Sequence, residues 1–128
     1  MIVEIPFEKI VPFTSSAARE KVSLKPTAGR TIWYETAGHE SFGGLLNFAA
    51  GAWRIRGVFT QPEFRGLGYG TKLTEGLIET AKTTLEARTI EVIAMNPKFY
   101  EDRGFTRITE IRHGSWRLAL RITGAVGV

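Results

Sequence analysis

The segment QPEFRGLGYGTKLTEGLIETAK, residues 61–82, runs from a glycine-rich turn straight into an amphipathic helix. Gly66, Gly68 and Gly70 fall within five residues, where the helix has to begin. Glycine is costly at such a place unless another molecule has to come close to the backbone. The first turn of a helix offers free N–H groups at the positive end of the helix dipole, which suit an anion. The turn therefore predicts a phosphate or pyrophosphate site, with a tight strand-to-helix turn that binds nothing as the plainer alternative.

The apolar pattern around this segment predicts a mixed α/β sheet of six or seven strands. Apolar residues at four-residue spacing mark the long helix, namely Leu73, Leu77, Ala81 and Leu85. Strands are expected at residues 2–5, 31–36, 41–50, 52–60, 89–95, 105–112 and 115–122. The run at 89–95 is apolar enough for a central strand buried on both faces. Short helices are expected at residues 17–22, capped by residues 14–16, and at residues 96–103, with a turn at residues 26–29.

The amino-acid composition limits which classes of protein this chain can belong to. The chain has 128 residues, 43% of them apolar, and fits one domain over residues 1–128. It contains no cysteine and two histidines, which excludes disulfides and thiolate chemistry and suggests no metal site. No apolar run is long enough to span a membrane and no signal peptide is evident, so we expect a cytoplasmic protein without a membrane partner. The net charge is +4, with five arginines and one acidic residue from position 103 onward. This basic bias suits an anionic ligand or nucleic acid, or simply a solubilising surface.

A second motif lies downstream of the glycine turn, NPKFYEDRGF at residues 96–105. Together the two motifs resemble the GNAT family of N-acetyltransferases. The family's acyl-CoA signature, Arg/Gln-x-x-Gly-x-Gly/Ala at the start of its main helix, is matched by Arg65, Gly68 and Gly70. The family's next block is matched by Asn96, by the run Phe99, Tyr100 and Glu101, and by Gly104 and Phe105. The resemblance covers residues 31–122, and the first thirty residues are shorter than the family's acceptor-side region.

The resemblance implies a fold, a co-substrate and a set of contacts. The fold is a GNAT-like mixed sheet, with an acyl-CoA-binding core at residues 52–105 and a reduced acceptor-side region at residues 1–30. The co-substrate is acetyl-CoA or another acyl-CoA, without a metal. Its pyrophosphate would lie on the turn formed by Arg65, Gly66, Leu67, Gly68, Tyr69, Gly70 and Thr71. Its pantetheine arm would lie in the splay between the strand at Val58, Phe59 and Thr60 and the strand at residues 90–94. A main-chain N–H near Val58 or Phe59 would polarise the thioester carbonyl, Asn96 would hydrogen-bond the arm, and Phe99 would lie near it. Tyr100 would act as the general acid that protonates the departing thiolate.

The acceptor side is less defined by these motifs. The strand at residues 52–60 carries no carboxylate where a glutamate often serves as the base, but it carries Arg54 and Arg56. These two arginines would share one face of the strand and, with Trp33, contact an anionic acceptor, or they would form a solvated face. The weak candidates for a base are Glu35, His39 and His113. A water relay, or an acceptor amine of low pKa, is the alternative route for the proton.

Three functions are compatible with these residues. The first is transfer of an acyl group, expected to be acetyl, to a small-molecule or protein amine by direct attack in a ternary complex. The second is the same transfer to an amine on DNA or tRNA, suggested by the arginines and by Trp33, Tyr34 and Trp53 as side chains available to stack on bases. The third is an acyl-CoA-binding module without turnover. A homodimer joined through the apolar tail at residues 123–128 is a further expectation.

Overall fold

The computed structural model describes residues 1–22, 24 and 30–122. Its strands are β1 Ile2–Ile5, β2 Thr31–Thr36, β3 Ser41–Ala49, β4 Ala52–Thr60, β5 Thr89–Ala94, β6 Thr106–Arg112 and β7 Ser115–Arg121. The α-helices are α1 Thr14–Arg19, α2 Tyr69–Thr83 and α3 Pro97–Glu101, and 3-10 turns lie at Phe7–Lys9, Val11–Phe13 and Pro62–Phe64. The order of strands and α-helices is the predicted one, which confirms the mixed α/β fold.

The strands form one sheet in the order β1-β2-β3-β4-β5-β7-β6. Neighbouring strands are antiparallel except β4 and β5, which run parallel and are connected through α2. This parallel pairing is short, because it starts at Ala52 opposite Thr89 and ends at Arg54 opposite Glu91. Beyond Arg54 the two strands separate, and a gap opens in the sheet beside the second half of β4.

An apolar core covers each face of the sheet. On one face α2 buries Leu73 and Leu77 against Ile55 and its neighbours. The opposite face carries Trp33, Phe42 and Phe59, which pack against the N-terminal segment around Ile10. The two faces arise from the strict alternation of side chains along each strand. The N-terminal segment therefore takes the place of a second layer on the face opposite α2.

The first helix differs from its prediction. α1 begins at Thr14, three residues earlier than expected, and it ends before residue 22. The predicted side-chain cap at residues 14–16 is wrong, because the preceding 3-10 turn continues directly into the helix. The backbone N–H of Thr14 bonds to the carbonyl of Val11, and so does its hydroxyl, at 2.9 Å. The chain then leaves the helical conformation at Lys21, whose φ of 64° is left-handed.

β5 packs against an apolar core on one face only, whereas the apolar run predicted burial on both faces. Ile90 and Val92 are buried in the core beneath α2, but Ile93 on the opposite face is 46% exposed. That opposite face also carries the buried carboxylate of Glu91, which needs cationic partners rather than an apolar cover. The turn predicted at residues 26–29 and the dimer contact predicted at residues 123–128 lie outside the described residues.

Candidate functional site

The glycine turn adopts a backbone that only glycine takes without strain. Gly66 and Gly68 have φ values of 78° and 87°, and Gly68 is the N-cap of α2. A Cβ atom at either position would meet nothing within 4 Å, so each faces open space. A Cβ on Gly70, in the first turn of α2, would lie 3.2 Å from Oγ1 of Thr60. The turn therefore combines left-handed backbone with an uncovered surface at the start of the helix.

A cavity of about 330 Å³, here named the glycine-turn cavity, lies at this helix start. It is lined by Thr60, Phe64, Arg65, Gly66, Gly68, Tyr69, Gly70 and Thr71. The helical hydrogen bonds begin with the N–H of Lys72, which bonds to the carbonyl of Gly68 at 3.0 Å. The preceding N–H groups of the first turn have no intrahelical acceptor and carry the positive end of the dipole. These residues fit a pyrophosphate.

Arg65 lines the glycine-turn cavity but is held by neighbouring groups. Its Nε donates to the carbonyl of Thr60 at 2.9 Å, and its Nη2 donates to Oε1 of Glu20 at 2.7 Å. Its guanidinium also lies over the ring of Phe59, 5.3 Å from the centroid. Arg65 therefore ties the turn to the end of β4 and to the N-terminal segment, and part of its charge is balanced by Glu20.

A second cavity, of about 290 Å³, occupies the gap between β4 and β5 and is here named the splay cavity. It is lined by Lys21, Val22, Ile55, Arg56, Gly57, Val58, Val92, Ile93 and Tyr100. Its position follows from the early end of the β4–β5 pairing at Arg54. Val58 lines this cavity and Thr60, two residues on, lines the glycine-turn cavity. The two cavities therefore meet the same short stretch of β4.

A β-bulge shapes β4 at the splay cavity. Phe42 of β3 pairs with Phe59 and Gly44 pairs with Arg56, so two residues of β4 lie opposite one residue of β3. The bulged residue Gly57 has a φ of 62°. A Cβ on it would lie 2.9 Å from Cζ3 of Trp33. Bulges of this kind bend a strand and redirect its main-chain groups, so Gly57 sets how β4 borders the cavity.

Tyr100 is the titratable phenol of the splay cavity. It is 7% exposed on α3 and packs edge-on against Phe99 and Phe105, with ring centroids 5.0 and 5.5 Å away. Burial raises the pKa of its phenol above the ordinary value, while a hydrogen bond with Thr74 and the charge of Arg103 act in the opposite direction. The phenol is therefore protonated at neutral pH and able to donate its proton.

Other predicted contact residues line neither cavity with their side chains. Phe59 is buried in the core on the face opposite α2. Leu67 is exposed at the tip of the turn. Asn96 is exposed at the start of α3, where it makes no side-chain cap. Phe99 is covered by the guanidinium of Arg103, 3.7 Å from the ring centroid.

The two strand arginines share a face, as expected, but have different surroundings. Nη2 of Arg54 bonds to Oε1 of Glu91 at 3.0 Å, and the other oxygen of Glu91 accepts from Arg117 at 3.1 Å. Arg54 lies outside the splay cavity, whereas Arg56 lines it. The guanidinium of Arg56 also lies over the buried ring of Trp33, 5.6 Å from its centroid. Trp33 thus packs against the guanidinium of Arg56 and does not itself line the cavity.

The three candidate bases lie outside the splay cavity. Glu35 is buried, and its carboxylate lies 2.6 Å from Nδ1 of His39 at the β2–β3 turn. His113 is exposed at the β6–β7 turn. Within residues 1–22, 24 and 30–122, no group of three or more histidine and acidic side chains is arranged to hold a metal. Over the same residues, no helix is long and apolar enough to cross a membrane.

Six residues that line the splay cavity were not among the predicted site residues, namely Lys21, Val22, Ile55, Gly57, Val92 and Ile93. A glycine inside a strand is a known sign of a bulge, so Gly57 could have been found. Val92 belongs to the predicted strand at residues 89–95, but nothing in its local pattern places it beside a gap. Lys21 carries no local signal, since only the folding of the N-terminal segment over the sheet brings it to the splay cavity.

Comparisons with known proteins agree with this arrangement. A family model described as an acetyltransferase (GNAT) domain matches residues 28–107, more than half of the chain. No match was found among curated protein sequences.

Many solved structures share the fold at low sequence identity. One is Rv2747 from Mycobacterium tuberculosis, solved in complex with CoA and NLQ, with a TM-score of 0.75 and 14% identity over 95% of this chain and 99% of that chain. Another is an IAA acetyltransferase from Bacillus cereus, with a TM-score of 0.70 and 19% identity over 95% of this chain and 99% of that one. N-acetylglutamate synthase from Neisseria gonorrhoeae, complexed with coenzyme A and N-acetyl-glutamate, matches with a TM-score of 0.69 and 15% identity over 97% of this chain and 36% of that chain. Two motifs in the expected order, the shared fold and the matching family model lead to one conclusion: the chain belongs to the GNAT family and is an N-acetyltransferase that uses acyl-CoA.

Proposed function

We propose that this protein transfers the acetyl group of acetyl-CoA to a primary amine by direct attack within a ternary complex. One observation carries the proposal. The glycine-turn cavity and the splay cavity both border the segment from Val58 to Thr60. An extended molecule with a pyrophosphate at one end and a thioester at the other can lie along this segment, with its phosphates at the helix start and its thioester beside Tyr100.

The main chain of β4 supplies the contacts along that molecule. Because β5 stops pairing at Arg54, the edge of β4 that follows is open toward the gap. In the proposal, main-chain groups of Val58 and Thr60 bind the pantetheine amides as an added strand would. An N–H at Val58 or Phe59 then polarises the thioester carbonyl, since a fixed donor is most effective where charge develops. The first-turn N–H groups of α2 hold the pyrophosphate.

The transfer balances with one proton donated by the protein. The lone pair of the neutral amine forms a bond to the carbonyl carbon, and the carbon–sulfur bond then breaks. The departing thiolate takes the proton of Tyr100, and the proton lost by the amine passes through water to solvent, from which Tyr100 is reprotonated. The raised pKa of Tyr100 keeps that proton available at neutral pH. The products are an N-acetyl amide and free CoA.

Ion pairs weaken the nucleic-acid alternative. Arg103 pairs with Glu75, Arg107 with Glu101, and Arg117 with Glu91. Much of the basic charge of the C-terminal third is therefore balanced within the fold. A binding module without turnover is disfavoured as well, because Tyr100 borders the cavity in which a general acid is required.

Calorimetric titration with acetyl-CoA tests the cofactor side of the proposal. We expect micromolar binding by the parent protein and at least a 100-fold weaker affinity in Gly68→Asp, whose carboxylate would repel the pyrophosphate. Gly114→Asp is the matched control. Gly114 has a φ of 80° with nothing within 4 Å of a Cβ, so it carries the same backbone strain at a turn far from both cavities.

The control separates charge at the site from loss of folding. Gly114→Asp should bind acetyl-CoA as the parent does. Release of free thiol from acetyl-CoA, measured with a panel of primary amines, then tests the transfer itself. Absence of binding by the folded parent, or equal binding by the parent and Gly68→Asp, would refute the placement of the pyrophosphate.

A further inference from the structure

We infer that the acceptor is a small amine that bears a carboxylate, and that Arg56, assisted by Lys21, binds this carboxylate in the splay cavity. The inference rests on the proposed function, because it concerns the acceptor that meets the thioester in the same cavity. It narrows the acceptor from any primary amine to one class, and it adds Lys21 to the residues that determine specificity.

The charges of the splay cavity carry the inference. Its nine lining residues include two cations, Lys21 and Arg56, and no carboxylate. Arg56 is half-buried, and burial lowers the pKa of its guanidinium. A cation that has lost part of its hydration gains most from an anion that accepts two of its N–H groups, as a carboxylate does. The cavity is therefore suited to an acceptor with a negative charge.

The acidic residue on this face of the sheet, Glu91, is already paired with two arginines. Glu91 is 8% exposed, and each of its carboxylate oxygens accepts from a different guanidinium, those of Arg54 and Arg117. Glu91 does not line the splay cavity. Arg54 lies outside the splay cavity and Arg56 lines it, so Arg56 is the strand arginine that an acceptor in the cavity can contact.

Support beneath Arg56 gives the cation a defined position. Its guanidinium lies over the ring of Trp33, which is 3% exposed and held in the core. The bulge at Gly57 directly follows Arg56 and bends β4 at the gap. A guanidinium that rests on a fixed ring loses less side-chain freedom on binding than a mobile surface cation does.

The same two cations account for the missing base. A positive charge near an ammonium group favours its neutral form, so Lys21 and Arg56 lower the pKa of the acceptor amine. The amine can then lose its proton to water before attack. A volume of about 290 Å³ lies at the lower end of the range for ligand pockets, which favours a small acceptor.

Matched acceptors test the inference. Thiol release from acetyl-CoA is measured with a series of amino acids and with the carboxamide of each. We expect the parent to prefer the carboxylate by roughly 10-fold to 100-fold in kcat/KM, the range of one charge-assisted contact. The amine of an amino-acid carboxamide is less basic than the amine of the amino acid itself, so more of it is neutral and able to attack. This difference in amine protonation opposes the expected preference for the carboxylate.

Variants connect that preference to the two cations. Arg56→Gln should reduce the preference to about onefold to threefold by raising the KM of the carboxylate acceptor, while the KM of acetyl-CoA stays unchanged. Arg56→Lys should restore part of the preference, which loss of packing on Trp33 would not explain. Lys21→Gln should raise the same KM more weakly, and since Lys21 is exposed this variant will fold even if Arg56→Gln does not. Arg112→Gln, on the exposed β6–β7 hairpin, is the matched control.

The outcomes separate this inference from the proposed function. Turnover without preference for the carboxylate, or a preference that survives in both Arg56→Gln and Lys21→Gln, overturns the inference and leaves the transferase intact. A preference for phosphate-bearing amines over carboxylates likewise overturns it. Binding of acetyl-CoA without thiol release from any amine overturns both. A carboxylate preference lost in Arg56→Gln and kept in Arg112→Gln supports both.

Discussion

Tyr100 and Gly57 are the two residues on which the proposed chemistry of the splay cavity depends most directly. Tyr100 places a neutral phenol at the gap between β4 and β5, and Gly57 bends β4 around that gap. Neither effect comes from the residue type alone. Burial of Tyr100 raises the pKa of its phenol above the ordinary value, and a glycine forms a bulge only where the pairing of two strands requires it.

Replacement of Tyr100 by phenylalanine should impair turnover without impairing binding. The variant lacks the proton that the departing thiolate takes, and loss of a general acid costs about 100-fold or more in kcat. The Kd for acetyl-CoA should stay within about threefold of the parent, because the ring and its packing remain. Steady-state kinetics and calorimetry measure the two quantities. Tyr34→Phe, at a buried tyrosine that lines neither cavity, should retain parental kcat. Parental kcat in Tyr100→Phe would exclude the phenol as the acid.

Gly57→Ala should destabilise the fold and disturb the cavity together. The new Cβ atom meets both a left-handed φ and the ring of Trp33 at 2.9 Å, so we expect a loss of about 2–4 kcal/mol in the free energy of unfolding. Gly114→Ala carries the left-handed φ without the contact and should lose only about 1 kcal/mol. Denaturant titration measures both. Equal losses would show that Gly57 is required for its φ alone.

At the scale of the elements, the separation of β4 from β5 creates the site. The two strands pair over three residues and then diverge, and Glu91 at the last pair holds β4 to β5 and β7 through Arg54 and Arg117. α2 begins where β4 ends, so its first turn and the open edge of β4 lie side by side. A ligand that lies along the open edge of β4 therefore leads directly to the first turn of α2.

Glu91→Gln tests this link between the strands. The variant leaves two guanidiniums without their shared carboxylate, and because both arginines are partly exposed we expect a loss of about 1–2 kcal/mol in the free energy of unfolding. Asp102→Asn breaks an exposed pair with Lys98 and should lose less than about 0.5 kcal/mol. Denaturant titration gives both losses from the shift in midpoint, provided that the slope of unfolding free energy against denaturant is the same in the parent and the variants. A loss in Glu91→Gln no larger than in Asp102→Asn would mean that the link contributes nothing to strand pairing.

At the scale of the whole molecule, two buried phenols make stability sensitive to alkaline pH. Burial raises the pKa of Tyr100, and burial together with the nearby charge of Glu4 raises that of Tyr34, above the ordinary value of 10.0 that applies to the unfolded chain. Below pH 10 both states are protonated and this stability is present in full. As pH rises above 10, the unfolded state loses protons first, so stability falls until the folded phenols also ionise.

The free energy of unfolding, measured by denaturant titration from pH 8 to pH 11, should therefore decline less steeply above pH 10 in Tyr34→Phe/Tyr100→Phe than in the parent. Each single variant should lie between the two, because each removes one of the phenols. Parallel curves for the parent and the double variant would show that these phenols do not control alkaline unfolding.

Local sequence determined the elements and the glycine-turn cavity. The spacing of apolar residues predicted the strands and the long helix, and the positions of Gly66, Gly68 and Gly70 predicted the helix start that forms the glycine-turn cavity. These features can be predicted because they depend on residues only a few positions apart. The period of a helix or strand and the backbone freedom of glycine are both local properties. The two spaced motifs were sufficient to suggest the family that the comparisons then showed.

Only the tertiary structure decided which charged side chains line the splay cavity. The sequence placed Arg54 and Arg56 on one face but could not show that Arg54 is held by Glu91, 37 residues away, while Arg56 borders the cavity. Nor could it bring Lys21 to the gap, and the separation of β4 from β5 was expected from the family resemblance, without the pair at which it begins. Such facts depend on contacts between distant segments, and no local pattern encodes them. The physical reason is that the charge of a cavity is set by which side chains distant segments bring to its lining.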